Sequence, residues 1–390
     1  MTKQKISLLP LKLLLFHFHA TNTIVLSFLP LYLAYKGLNG TEIGWILAIG
    51  PFASLISQPF WGFMSDKYKT MKRFLIISII GMLVSSIIFF QMNHLLALLI
   101  FGAILYFFSS PVGALSDSLA QQRANELNVS FGTIRTWGSV GFALSSLLVG
   151  RLLDYIGIGY LVVPYVVVGT ILLLISFTVQ DVRRIDAPVS FKHVKQMMTF
   201  KPFILFLTIM MFITIAHRAN DSFIGLYIGE LGGTESLVGI AWFIGLVSEA
   251  TVFALATFWF RSFHPLIFII VASALYSVRW LWYGHATSPF LILALQLLHG
   301  LTFGMFYVAS FDYVTKIIPK NLTATGHLIF YSVFFGVSGI IGSMVGGVLL
   351  EAFGGQTLYV AMGFLSLIGM GAFILYYVVN NRIRREAHFE

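Results

Sequence analysis

A few ionisable side chains interrupt stretches that are otherwise apolar: Asp117, Arg135, Arg218, Asp221, Glu249, Arg279 and His299, with His17 and His19 near the start of the chain. In a hydrocarbon setting each such charge costs at least about 2.5–3.5 kcal/mol, so each calls for a partner, a watery path or a function. Three acids stand against three arginines, a balance that permits pairing. A carboxylate in such a place is pulled toward its neutral form by desolvation and toward its charged form by a nearby Arg, so movement of either can load or release a proton. Glu249 has no cation close by in its own stretch and is the first candidate for a proton carrier, followed by Asp221, while His299 is of the residue type that titrates near neutrality. His17 and His19, two residues apart, point to different sides of a helix. The alternative is that these groups are static ion pairs holding helices together.

Other chemistries find little support. The 390 residues contain no Cys, which excludes a disulfide framework, a cysteine zinc site and a thiol nucleophile. No GxxxxGK[ST], GxGxxG or HExxH run is present, so neither a nucleotide-driven motor nor a zinc protease is indicated. The reading is of a non-enzyme with no cofactor and no metal, driven by a gradient of protons.

The elements that must carry these charges are membrane helices. The hydrophobic share is 58% and the charged share 10%, with a mean hydropathy of +0.89, against about 25% charged residues in soluble domains. Twelve apolar stretches of spanning length are predicted near 11–35, 43–64, 74–91, 95–118, 132–153, 160–180, 202–229, 237–260, 265–283, 289–313, 324–350 and 357–379. Runs such as Leu95 to Tyr106 are continuously apolar, which argues against the alternating pattern of an outer-membrane barrel. Lys67, Lys69, Lys72, Arg73, Arg183, Arg184, Lys316, Arg382 and Arg384 fall on the side of the two termini, while only Lys36 and Arg151 fall on the other. By the positive-inside rule both termini are cytoplasmic. The net charge of +9 is then explained by topology, and no nucleic-acid partner is needed. Residues 1–180 read as one six-helix bundle, 181–201 as a cytoplasmic linker, 202–380 as a second bundle and 381–390 as a cytoplasmic tail.

The halves repeat. At an offset of 195 residues, SFLPLYL from Ser27 meets SFIGLYI from Ser222, Gly37 meets Gly232, Gly44 meets Gly239, and Asp117 meets Asp312. After a two-residue slip, GRLLDYIG from Gly150 parallels GVLLEAFG from Gly347. Parallel six-helix repeats are the signature of secondary transporters of the rocker type, with the solute held near mid-membrane. Gly141, Gly304, Gly336, Gly342 and Gly346 are read as close-packing positions.

The run Gly62-Phe63-Met64-Ser65-Asp66-Lys67, followed by Lys69, Lys72 and Arg73, resembles the loop motif between the second and third helices of the major facilitator superfamily. That family has Gly where Lys69 stands. The resemblance implies a cytoplasmic gate at Gly62, Asp66, Lys67 and Arg73. Over essentially the whole chain the sequence is similar to the branch of lactose and phenylpropionate permeases, the oligosaccharide:proton symporters. PLYL at Pro30, QPFWGFMSDK at Gln58, Asp117 with Arg135 in FGTIRTWGSVGFAL, and Glu249, Arg279 in SVRW and His299 in QLLHG carry that similarity. It implies that Asp117 and Arg135 bind substrate, with Phe142 where lactose permease has a stacking Trp. It also implies that Asp221, Glu249, Arg279 and His299 form the proton-coupling network. Where lactose permease has a Lys and a Glu on its tenth helix, Gln296 and Thr302 stand here. Arg218 beside Asp221 either suits an anionic substrate or neutralises that acid.

The expectation is a monomeric, twelve-helix transporter of the cytoplasmic membrane, a proton symporter that imports an aromatic acid, saccharide or nucleoside by alternating access. A proton-driven exporter of hydrophobic compounds is the alternative within transport, and a non-transporting membrane sensor is a more distant one.

Overall fold

Glycines and asparagines punctuate a chain that is otherwise helix-forming. The computed structural model describes residues 8–181, 191–260 and 263–386. The described elements are helical, beginning with α1 (Leu9–Tyr35), α2 (Gly40–Tyr68), α3 (Lys72–Gln91), α4 (Leu95–Glu126), α5 (Phe131–Ile156) and α6 (Val162–Thr178). They continue with α7 (Phe191–Met198), α8 (Lys201–Glu230), α9 (Glu235–Trp259), α10 (Pro265–Gly284), α11 (Pro289–Leu295), α12 (Met305–Ile317), α13 (Thr323–Tyr331) and α14 (Ser338–Glu386). Between α11 and α12 the helix runs on through a tight turn at Gln296–Leu298 and a π-helical turn at Gly300–Gly304, and a second π turn, Ser332–Val337, joins α13 to α14.

Eleven of these helical stretches are long and apolar enough to cross a membrane, the last of them the 56-residue segment Thr325–Asn380. At about 1.5 Å per residue that segment is far longer than a hydrocarbon core of about 30 Å. It breaks at Gly354, whose φ of 78° and ψ of 171° are not helical.

The repeated glycines of the sequence turn out to share a conformation. Gly37 follows α1 with φ +86°, and its counterpart Gly232 follows α8 with φ +80°. Gly157 ends α5 at +90°, and its counterpart Gly354 stands at +78°. Only a residue without Cβ adopts these angles freely, so the internal repeat preserves two turns as well as two apolar patterns. Lys69 closes α2 at φ 54°, in the left-handed region, which explains why glycine is the residue expected there. At the other end of α2, Asn39 Oδ1 accepts from Glu42 N at 2.9 Å and Glu42 Oε2 accepts from Asn39 N at 3.1 Å, a reciprocal cap.

The chain forms two compact units. The first holds residues up to 181 with 224–229 and 233–243, and the second holds 191–223, 230–232 and 244–386. In the first, α1 packs on α5 and α6, and α4 on α2 and α3. Gly141 of α5 lets α1 approach so closely that a Cβ there would overlap the carbonyl group of Phe16. In the second, α10 packs on α12 and α14, and α8 is tied to α14 by Thr214 with Ser338 at 2.7 Å and by Ser222 with Ser343 at 2.8 Å. Of the linker read at 181–201, residues 182–190 lie outside the described residues. So do Lys3, Lys5, Arg261 and the last residues of the tail, 387–390, while of Arg183 and Arg184 nothing is described either. The described part of the linker is largely helical, as α7. Its first residue, Asp181, caps α3, accepting from the backbone N–H of Met71 and Lys72 at 3.0 Å each and from Thr70 Oγ1 at 2.5 Å.

Candidate functional site

In the first unit, α4 and α5 bring Asp117 and Arg135 together, with Arg135 Nε 3.5 Å from Asp117 Oδ1. Their side chains are 41% and 36% exposed. Charged groups on spanning helices almost always face the bundle interior or a water-filled cavity rather than lipid. Gly138, one turn beyond Arg135, makes room beside the pair: a Cβ there would overlap the His19 ring and stand 2.8 Å from Arg135 Nη1. His19 is therefore a neighbour of the arginine, whereas His17 turns away and bonds Leu13 O through Nδ1 at 2.9 Å. Phe142 lies 5.8 Å from the ring of Trp242, which the sequence reading did not single out. Trp137 is 41% exposed, with the Lys12 ammonium 5.9 Å from its ring.

In the second unit, Arg279 of α10 is the hub. It is fully buried, and its guanidinium donates to Tyr283 Oη (3.3 and 3.0 Å), Thr302 Oγ1 (3.1 Å), His299 Nδ1 (3.3 Å) and Gln296 Oε1. It also stacks on Trp280, 4.7 Å from the ring centre. Gln296 and Thr302, the two departures from the permease pattern, are thus acceptors for this arginine. Because a guanidinium only donates, His299 Nδ1 must accept, which places the imidazole hydrogen on Nε2. That nitrogen faces Glu249 Oε2 of α9 at 3.7 Å. A hydrogen on Nδ1 would put N–H against N–H, so Arg279 fixes the ring's orientation and tautomer.

The third charged group is on α8. Arg218 Nη1 donates to Asp221 Oδ2 at 2.6 Å, and its guanidinium lies 5.8 Å from the Phe335 ring centre. His217, absent from the sequence-derived set, faces the same carboxylate oxygen through Nε2 at 3.6 Å. Its signal was the run His217-Arg218-Ala219-Asn220-Asp221 inside an apolar helix, where positions four apart share a face. Asn220 accepts from Tyr359 Oη at 3.1 Å. A row of stacked rings also escaped notice: His299 on Phe303 at 5.5 Å, Phe303 on Tyr307 at 5.6 Å, Tyr307 on Phe311 at 6.5 Å and Phe311 on His327 at 4.1 Å.

The gate motif is not a loop. Gly62, Asp66 and Lys67 lie in the last turns of α2, which contains no helix breaker after Pro59, and the connection to α3 shrinks to Lys69–Met71. Arg73 sits in the first turn of α3, with its backbone N–H on Thr70 Oγ1 at 3.3 Å.

Comparison with known proteins fits this architecture. The model of the family described as MFS_1 like matches residues 8–361. The maltose permease of Geobacillus stearothermophilus is 26% identical over 87% of this chain and 86% of its own length. A protein named as a probable 3-phenylpropionic acid transporter of Escherichia coli (strain K12) is 26% identical over 75% of this chain and 78% of its own. Among solved structures, the nucleoside transporter NupG superposes with a TM-score of 0.85 at 18% identity, covering 95% of this chain and 99% of that one. Those relatives are transporters rather than enzymes, and with the family model matching nearly the whole length, this multi-pass membrane protein belongs to the MFS_1 like family of the major facilitator transporters.

Proposed function

We propose that the protein is a proton-coupled symporter of the cytoplasmic membrane that imports a small organic solute by alternating access. The break at Gly354 inside the 56-residue segment supports reading it as two crossings, twelve in all, and the cation distribution of the loops supports cytoplasmic termini. The observation that carries the reading is the pairing, in the first unit, of an acid in the last third of α4 with an arginine in the second turn of α5, both side chains open, while the second unit sets a buried Asp221 and a half-buried Glu249 against histidines. The first is suited to orienting a solute by charge and hydrogen bonds, with Phe142 as an apolar wall. The second is suited to holding and releasing protons at Asp221 and Glu249, with Arg279 and His299 setting their surroundings. Arg218 adds a cation that an anionic solute can share. Maltose, phenylpropionate and nucleosides appear in the relatives' names, and saccharide, aromatic acid and nucleoside are accordingly the solute classes proposed; all three present a ring face to an aromatic wall.

The test is to add each class of solute to a weakly buffered suspension of de-energised cells overproducing the protein. Alkalinisation with one class, absent in Arg135→Ala cells, supports symport and names the solute. No alkalinisation by wild-type cells with any solute they are shown to take up overturns proton coupling. Dye efflux that persists in Arg135→Ala cells supports export instead.

A further inference from the structure

His217 is one of the most enclosed ionisable groups in the second unit, only 3% exposed. Its ring lies face to face on Phe303, 4.7 Å away at 13°, and both nitrogens are committed. Nε2 faces Asp221 Oδ2 at 3.6 Å, and Nδ1 meets the hydroxyl of Tyr276 at 3.1 Å. The charged and titratable groups around it are Arg218 and Asp221 on α8, Tyr276 and Arg279 on α10, and His299 after α11, whose ring is 5.8 Å away. Glu249 of α9 lies beyond His299. Phe334, which closes the remaining side at 6.4 Å, brings no ionisable group.

The two histidines differ in one respect that decides which can take a proton. His299 Nδ1 faces a guanidinium, which cannot accept. His217 Nδ1 faces a hydroxyl, which can donate or accept by rotation. We propose that His217 and Asp221 together form a proton-binding site, and that Tyr276 passes its state on to Arg279.

Without the extra proton, His217 carries its hydrogen on Nε2 toward the carboxylate, and Nδ1 accepts from Tyr276. One proton added from water leaves two arrangements, an imidazolium beside a carboxylate or a carboxylic acid donating to Nε2. Both place a hydrogen on Nδ1, so in both Tyr276 must turn its oxygen lone pair to His217. Its own O–H is then turned away from His217. Arg279, three residues on along α10, donates through Nη1 to Thr302 Oγ1 and to His299 Nδ1. Turning the Tyr276 hydroxyl dipole changes the field at Arg279, and through that arginine His299 and Glu249 feel the loading of Asp221 without touching it. Arg218 opposes an added positive charge while it remains on Asp221, so loading is favoured when Arg218 turns to a negative group elsewhere. The role in transport rests on the symport reading, but the proton site itself does not.

The site is tested without any solute, in the full-length protein in lipid nanodiscs, by nitrogen NMR of labelled histidines between about pH 5 and pH 8, the range in which His charge changes matter. Assignment needs no mutation. His217 alone among the histidines precedes an Arg, and His299 alone precedes a Gly, so paired labelling of consecutive residues identifies both. The expected result is that His217 Nδ1 passes from the bare-nitrogen to the N–H shift range as pH falls, that Asp221→Asn removes this change, and that the His299 signal moves at the same midpoint only when Tyr276 keeps its hydroxyl, not in Tyr276→Phe. The proposal is overturned if His217 keeps its hydrogen on Nε2 at every pH, or if the change survives Asp221→Asn. Loss of symport by wild-type cells in the alkalinisation assay, with this titration intact, would reject the transport reading alone.

Discussion

Arg135 Nε stands 3.5 Å from Asp117 Oδ1 across the α4–α5 contact, and no hydrogen bond within the described residues occupies that carboxylate oxygen. That oxygen is closed to solvent, and it is the exposed remainder of both side chains that retains capacity for a third group. Arg135→Ala should therefore lower apparent solute affinity by about 10–100-fold, the range of one or two charge-assisted hydrogen bonds. Uptake at low solute concentration, measured with the amount of protein in the membrane, checks this. Unchanged uptake would remove the pair from the binding role.

Arg279→Leu should cost about 3–5 kcal/mol in stability, because Gln296, Thr302 and Tyr283 lose their donor at once in a dry interior. Arg279→Lys should fall in between, since an ammonium cannot reproduce the planar fork that serves four side chains. Thermal unfolding in detergent separates the two. Equal melting temperatures for both variants and the wild type would show that the hub is structurally idle.

At Lys69, substitution by Gly should raise stability by about 0.5–1 kcal/mol, because a left-handed α2 terminus costs a side chain that glycine does not carry. The reverse holds at Gly354 and at its repeat partner Gly157. Gly354→Ala and Gly157→Ala should each lose about 1–3 kcal/mol, their φ and ψ lying where glycine alone is at ease. The unfolding midpoints of the three variants should move in those opposite directions.

Gly141→Ala should destabilise the first unit by about 1–3 kcal/mol, the usual cost of overpacking, since the new methyl meets backbone rather than a movable side chain. Gly371→Ala, where a Cβ meets nothing within 4 Å, serves as the control and should unfold as the wild type does.

The unusual charges were legible in the sequence because an acid or arginine in an apolar run is conspicuous by type alone. Asp117, Arg135, Arg218, Asp221, Glu249, Arg279 and His299 could all be picked out, and the proximity of Asp117 to Arg135 followed from the resemblance, whereas Arg218, grouped with them as substrate-binding, stands on Asp221 in the second unit. His217 was not, since its meaning depends on Tyr276, 59 residues away in sequence, and on a ring stacked from a third helix. Gln296 and Thr302 looked like losses of function by comparison with the permeases, and only their common donor shows what they do. The second span, read as ending near 64, runs on to Tyr68 for a local reason: nothing between Phe60 and Tyr68 stops a helix.

The π turn at Gly300–Gly304 has a bearing on any attempt to plan mutations by drawing this segment on a helical wheel. With 3.6 residues to a turn, one extra residue held in a bulge offsets everything after it by about 100°. A wheel drawn continuously from Pro289 to Ile317 therefore assigns Tyr307 and Phe311 to the wrong azimuth relative to Ile292 and Gln296. A scan of substitutions along this stretch should be phased from Met305 for its lower half and from Pro289 for its upper half, as two rods sharing an axis but not an origin.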